Sequence, residues 1–229
     1  MPNYERAIIQ HQSYIDALTK CGLDVIVLEP SEAYPDSTFV EDVALITPNC
    51  AIITRPGAPS RRGEVHEIEF VLKQRFNNIE AIEAPGTIDG GDIMMVGSHY
   101  YIGLSERTNL EGAKQIIQIL KKYGMSGSTI SLNKVLHLKT SLSYLEKNNL
   151  VVSGEFINDS YFGHYNSIEI PKKESYAANC IWVNETVIIP QGYPTTKQRI
   201  TNAGYQVIET DVSEFKKLDG GLSCLSLRY

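Results

Sequence analysis

Apolar and polar positions along the chain switch between a two-residue and a helical period, and the same order returns several times. VALIT (43–47) and CAIIT (50–54) are β-rich runs around Pro48-Asn49, a turn pair. RGEVHEIEFVLKQRF (62–76) follows, with Val65, Ile68, Val71 and Leu72 on one helical face. IEAIEAP (79–85) then predicts a short strand. The pattern restarts with IMMV and HYYIG around Gly97-Ser98, a helix over about 108–123 closed by Gly124, and the strand STISL. It restarts with LSYLEK and LVVSG around Asn148-Asn149, a short helix near Glu155–Ser160, and SIEIP. A fourth round has CIWV and TVIIP, a helix from about Thr195 to Asn202 ending before Gly204, and QVIET. The front supplies half a unit, a helix over 5–20 closed by Gly22 and the strand DVIVLEP; the back supplies the strand CLSLR.

Hairpins begin near 43, 93, 142 and 180, a spacing of roughly 40–50 residues that signals arrays and propellers. Four full units and two halves predict five α/β units closed into a ring, the last strand completing the first unit. No Pro- or Gly-rich linker divides the chain, so one domain over 1–229 is expected.

Composition narrows the function classes. The 229 residues are 42% hydrophobic, ample for a core, and carry a net charge of −6. No basic stripe is visible, which argues against nucleic acid and anionic membrane as partners, and an acidic balance suits a small cationic substrate. No apolar run reaches a spanning length, and MPNYERAIIQ is not a secretory signal, so a cytoplasmic protein is expected. Cys21, Cys50, Cys180 and Cys224 are scattered without C-x-x-C, and the five histidines lack metal-site spacing; reduced thiols and no metal are expected.

Equivalent units place the segments that lead into each hairpin at one end of the ring. These read PDSTFVED (35–42), TIDGGD (87–92), KVLHLKTS (134–141) and LDGGLSC (218–224). A Cys, a His and a carboxylate from separate segments are the parts of an activated thiol nucleophile, and Cys224, His137 and Asp89 sit at such places. The extra acids Asp36, Glu41, Asp42 and Asp219 exceed that need and suit a cationic group such as a guanidinium. Singly, each residue has a plainer reading: a lone Cys is usually a small buried hydrophobe, and D-G-G is usually a turn. Cys50 and Cys180, inside apolar runs, are read as core, and Cys21 as helix packing.

FVEDVALIT, ITRPGAPSRRGEV, DGGD, GLSERTN, LHLK, AANCIWVN and DGGLSC, in this order from about residue 10 to the end, resemble the dimethylarginine dimethylaminohydrolases of the guanidine-modifying, or pentein, superfamily. The resemblance implies a five-bladed α/β propeller and hydrolysis of Nω-methylated L-arginines to L-citrulline and an amine, without metal or organic cofactor. It implies Cys224 as nucleophile, His137 as acid and base, and Asp89 as the residue that orients His137. Asp42 and Asp219, with Glu41 beside them, then bind guanidinium. Asp36 meets the α-amino group, Arg61 and Arg107 grip the α-carboxylate, and the main chain of Leu218 lines the site. The family usually begins with a further strand and a covering loop, so the first unit is expected to be incomplete at its N-terminal side. A monomer or homodimer is expected. Rival readings are a deiminase for arginine or agmatine, an amidinotransferase, a non-catalytic pentein binding module, and a cysteine acyl hydrolase. The last has no use for the carboxylates.

Overall fold

A computed structural model describes all residues 1–229. In chain order it begins with α1 (Tyr4–Lys20), followed by β1 (Ala44–Ile46), β2 (Ala51–Ile53), α2 (Val65–Lys73) and β3 (Ile79–Ala81). Next come β4 (Ile93–Val96), β5 (His99–Leu104), α3 (Leu110–Lys122) and β6 (Ser126–Ser131). Then follow β7 (Leu142–Tyr144), β8 (Asn149–Val152) and β9 (Asn166–Glu169), and β10 (Ile181–Val183), β11 (Thr186–Pro190), α4 (Pro194–Asn202) and β12 (Gln206–Thr210). A short α5 spans Ser213–Lys216.

The twelve strands form four three-stranded sheets of one design. A tight hairpin pairs two strands antiparallel, as in Ala44↔Ile53. The chain then crosses over and returns parallel to the middle strand, as in Ala51↔Ile79. A parallel return requires a long crossover, and α2, α3 and α4 fill that crossover in three of the four sheets. The middle strands, paired on both edges, are buried throughout in β2 and β11.

Residues 30–139 and 224–229 form one compact unit, and residues 1–29 and 140–223 the other. In the first, Ile52, Ile102, Ile116 and Leu120 share a core with Cys50. The Asn109 side chain caps α3 by accepting from Gly112 N, an arrangement contributing about 1 kcal/mol. In the other unit, Val151, Val187, Ile189 and Ile200 pack with Cys180. There α1 turns Gln10, Tyr14, Ala17 and Leu18 inward, one face at helical spacing, and ends before Gly22 at φ +86°. Buried Glu214 of α5 anchors it by accepting from Asn3 N at 2.7 Å.

Three expectations are corrected. DVIVLEP and CLSLR form no strand: the four sheets account for every ladder, and an extended segment without a hydrogen-bonded neighbour is not a strand. The helix expected near Glu155–Ser160 is instead two 3₁₀ turns, Gly154–Phe156 and Ser160–Phe162. Between them Asn158 adopts φ +62°, which interrupts a right-handed helix, and the turns pack Phe156 against Phe162. No helix is long and apolar enough to cross a membrane.

Candidate active site

The D-G-G-D segment turns into β4 through a 3₁₀ turn at Gly90–Asp92. Each glycine removes a clash. A Cβ on Gly90 would lie 2.0 Å from the Glu41 carbonyl oxygen. A Cβ on Gly91 would lie 2.9 Å from His137 Nδ1 and 3.0 Å from Asp42 Oδ1. The paired glycines thus let the imidazole and a second carboxylate press against the backbone.

His137 Nε2 lies 3.1 Å from Asp89 Oδ2. Asp89 is buried, and its Oδ1 accepts Gly57 N–H at 2.9 Å, which fixes the carboxylate. Asp42 Oδ1 accepts Gly91 N–H at 2.9 Å. Burial alone lowers the pKa of His137. The hydrogen bond to Asp89 and the charges of Asp42, Asp92 and Asp89 outweigh it and raise the pKa to about 9. The imidazole is therefore protonated at neutral pH. One donor atom each from Asp42, Asp89 and His137 lies within 4.8 Å of the others, a spacing a cation could bridge. The carboxylates already accept from Gly57, Gly91 and Arg61, and the imidazolium supplies the positive charge an ion would bring.

Cys21, Cys50 and Cys180 are buried, and Cys224 is partly exposed. Burial raises the pKa of Cys21 and Cys50 and pushes Cys180 to about 12. Cys224 lies in the 3₁₀ turn Ser223–Leu225. The preceding residue, Ser223, is held by Asn179, which accepts Ser223 N–H and donates to Ser223 Oγ, each at 2.9 Å.

The other expected residues fall as follows. Glu41 is buried, with Lys139 Nζ at 2.6 Å and the Arg228 guanidinium at 3.5 Å. Asp36 is exposed, and its carbonyl oxygen accepts from Arg61 Nη2 at 3.2 Å. Arg61 is buried and is paired within the protein. Nη1 donates to Asp42 Oδ2 at 2.6 Å, Nε and Nη2 fork onto Glu64, and Nη2 also reaches Phe39 O. Arg107 is half-buried on the loop before α3. A Cβ on Gly57 would lie 2.4 Å from the Arg107 carbonyl oxygen, so R-P-G and S-E-R-T-N lie against each other. Leu218 and Asp219 belong to the other compact unit, where both are exposed after α5 and Asp219 has φ +60°.

The family model for eukaryotic N,N-dimethylarginine dimethylhydrolase matches residues 2–226. This chain belongs to the dimethylarginine dimethylaminohydrolase family. It is 60% identical to the dimethylarginine dimethylaminohydrolase of Pseudomonas aeruginosa, across 100% of this chain and 90% of the relative. It is 30% identical to that of Streptomyces coelicolor, across 97% and 85%. A crystal structure of the Pseudomonas enzyme, a cysteine-to-serine variant complexed with citrulline, superposes with a TM-score of 0.98 at 58% identity, covering 100% of this chain and 90% of the other. The N-terminal domain of ArgZ, an arginine dihydrolase, superposes at 0.90 with 21% identity, a likeness of fold alone. The four sheets are those of this α/β pentein fold.

Sequence reasoning did not single out Glu64, Asp92, Gly57 and Asn179, which bond Arg61, Leu138 N–H, Asp89 and Ser223 respectively. All four lie inside the motifs that carried the resemblance, or one residue beyond their pointed side chains. No local signal separates Gly57, Asp92 and Asn179 from turn residues, because each bonds a segment distant in the chain, whereas Glu64 grips Arg61 three positions away.

Proposed function

We propose that the protein hydrolyses Nω-methylated L-arginine, the asymmetric dimethyl or monomethyl form, to L-citrulline and dimethylamine or methylamine. The observation that carries this reading is the contact of His137 with Asp89 beside Asp42, in a chain whose other three thiols are buried.

In this reading Asp42, Glu41 and Asp219 receive the guanidinium, and Asp36 the α-amino group. Arg107 and Arg61 meet the α-carboxylate, with Leu218 lining the site by its main chain. The bound cation favours the Cys224 thiolate. Thiolate attack on the guanidinium carbon forms a C–S bond and a neutral tetrahedral adduct. His137, protonated in the resting enzyme, gives its proton to the departing methylamine nitrogen as the C–N bond breaks. A covalent S-alkylthiouronium and a neutral imidazole remain. His137 then takes a proton from water as the water oxygen attacks. Collapse expels the thiolate and releases citrulline, and the remaining proton ends on the amine as ammonium. Covalent catalysis divides one difficult hydrolysis into two easier steps. No step needs a metal or organic cofactor.

The acidic balance favours a small cationic amino acid over nucleic acid or membrane as partner, and the reading includes a cytoplasmic enzyme, monomeric or homodimeric. Incubation with asymmetric dimethylarginine, monomethylarginine and arginine tests the reading. Citrulline with stoichiometric methylamine supports it. Citrulline and ammonia from arginine alone makes the protein a deiminase, and binding without turnover makes it a non-catalytic module.

A further inference from the structure

We propose that Asp92 is a positioning residue that sets both the imidazole of His137 and the loop bearing Arg107. The proposal rests on the reading of His137 and Arg107 just given.

Asp92 is fully buried. Its Oδ1 accepts the N–H of Leu138, the residue after His137, at 3.0 Å. Its Oδ2 accepts the Ser105 hydroxyl at 2.6 Å. Ser105 Oγ in turn accepts the N–H groups of Arg107 at 3.0 Å and Thr108 at 3.1 Å. One carboxylate thereby joins the backbone beside His137 to the turn that presents Arg107. Thr108 returns to the same segment, its hydroxyl accepting Asp89 N–H at 3.1 Å. The two acids of D-G-G-D therefore act on different parts of one residue. Asp89 holds the ring of His137, and Asp92 holds the main chain that carries it.

A carboxylate in a dry site is costly unless paired. A serine or threonine could meet one of these donors but lacks two oxygens set to accept from opposite sides. Burial raises the pKa of Asp92 to about 6, so it remains ionised at neutral pH. Its charge joins those of Asp89 and Asp42 around His137.

The test compares Asp92→Asn and Ser105→Ala by steady-state kinetics, by the NMR titration of His137 in substrate-free protein, and by melting temperature. Asp92→Asn loses a negative charge near the imidazolium, so the His137 titration and the alkaline limb of kcat/KM move to lower pH. The misplaced ring lowers kcat by at least about tenfold, since small displacements near a reacting centre are amplified. Ser105→Ala cuts only the arm toward Arg107. It raises KM for methylarginine about three- to tenfold, as the two N–H groups of the Arg107 turn lose their acceptor, and moves the His137 titration less than Asp92→Asn does. A merely structural Asp92 would lower the melting temperature of Asp92→Asn with titration and kcat unchanged, which overturns the proposal. If Asp92→Asn does not fold, an unchanged KM in Ser105→Ala overturns it. If the wild type makes no citrulline, the functional reading fails, and the substrate-free titration still decides the role of Asp92.

Discussion

Arg61 Nη1 lies 2.6 Å from Asp42 Oδ2, so a carboxylate assigned to the substrate guanidinium already holds a guanidinium of the protein's own. Glu64 grips the same arginine, and both carboxylates are nearly inaccessible. Burial works against the charge of Arg61, but the two carboxylates outweigh it and raise the affinity of Arg61 for its proton. Removing Arg61 strands two buried carboxylates, at a cost of about 3–5 kcal/mol. Arg61→Lys keeps the charge and loses the fork, so it is the gentler probe. Arg61→Lys is expected to slow turnover of a methylated guanidine without an α-carboxylate as well as of methylarginine, because it loosens Asp42. Arg107→Lys is expected to raise KM only for the substrate that carries the carboxylate. If Arg61→Lys leaves the carboxylate-free substrate unaffected, Arg61 serves the carboxylate alone.

Gly91→Ala is expected to reduce kcat by about a hundredfold while the protein stays folded. The new methyl needs space now occupied by His137 Nδ1 and Asp42 Oδ1, and both are side chains able to retreat. Gly90→Ala meets the Glu41 backbone at 2.0 Å, which cannot yield so cheaply, and is expected to lower the melting temperature more. The reverse order of stabilities would contradict these roles for the two glycines.

Cys224 is expected to be the one thiol alkylated in native protein, because the other three are buried and their pKa values raised. Peptide mapping after brief iodoacetamide treatment reads the site directly. Substrate should protect it, acid-quenched turnover should show an adduct on Cys224, and Cys224→Ser should bind without turning over. Labelling of Cys180 in the folded protein would refute the assignment.

The pKa of about 9 at His137 gives a pH dependence with a definite sign. The first step needs the protonated ring, so kcat/KM, which reports the free enzyme, should fall as pH rises through about 9. Asp89→Asn removes the hydrogen-bonded charge and should move that limb toward lower pH. Stability follows the same sign. The folded value lies above the ordinary 6.5, so the stabilisation from His137 is complete below 6.5 and is lost as pH rises toward 9. Urea unfolding between pH 6 and 10 measures it, and His137→Gly should abolish this part of the slope.

Much of the architecture was legible in the chain because it is local. Hairpin turns such as Gly97-Ser98, the helical face of α2 and the Gly124 that closes α3 depend on residues a few positions apart, and their spacing survives in a one-dimensional reading. The repetition of that spacing placed Asp89, His137 and Cys224 at equivalent points, and the structure brings Asp89 and His137 together with Asp42. What tertiary structure alone decided is which groups satisfy one another across distant segments. DVIVLEP has the composition of a strand, yet a strand exists only with a ladder, and no neighbour pairs with it. The ion pair of Arg61 with Asp42 forms only when the loop after β2 folds back over a separation of 19 residues. Asp92 reads as the tail of a turn until Leu138 and Ser105, 46 and 13 residues away, present their donors to it. Periodicity fixes where a side chain stands along its own element; its partner is set by the approach of another element, which no local pattern encodes.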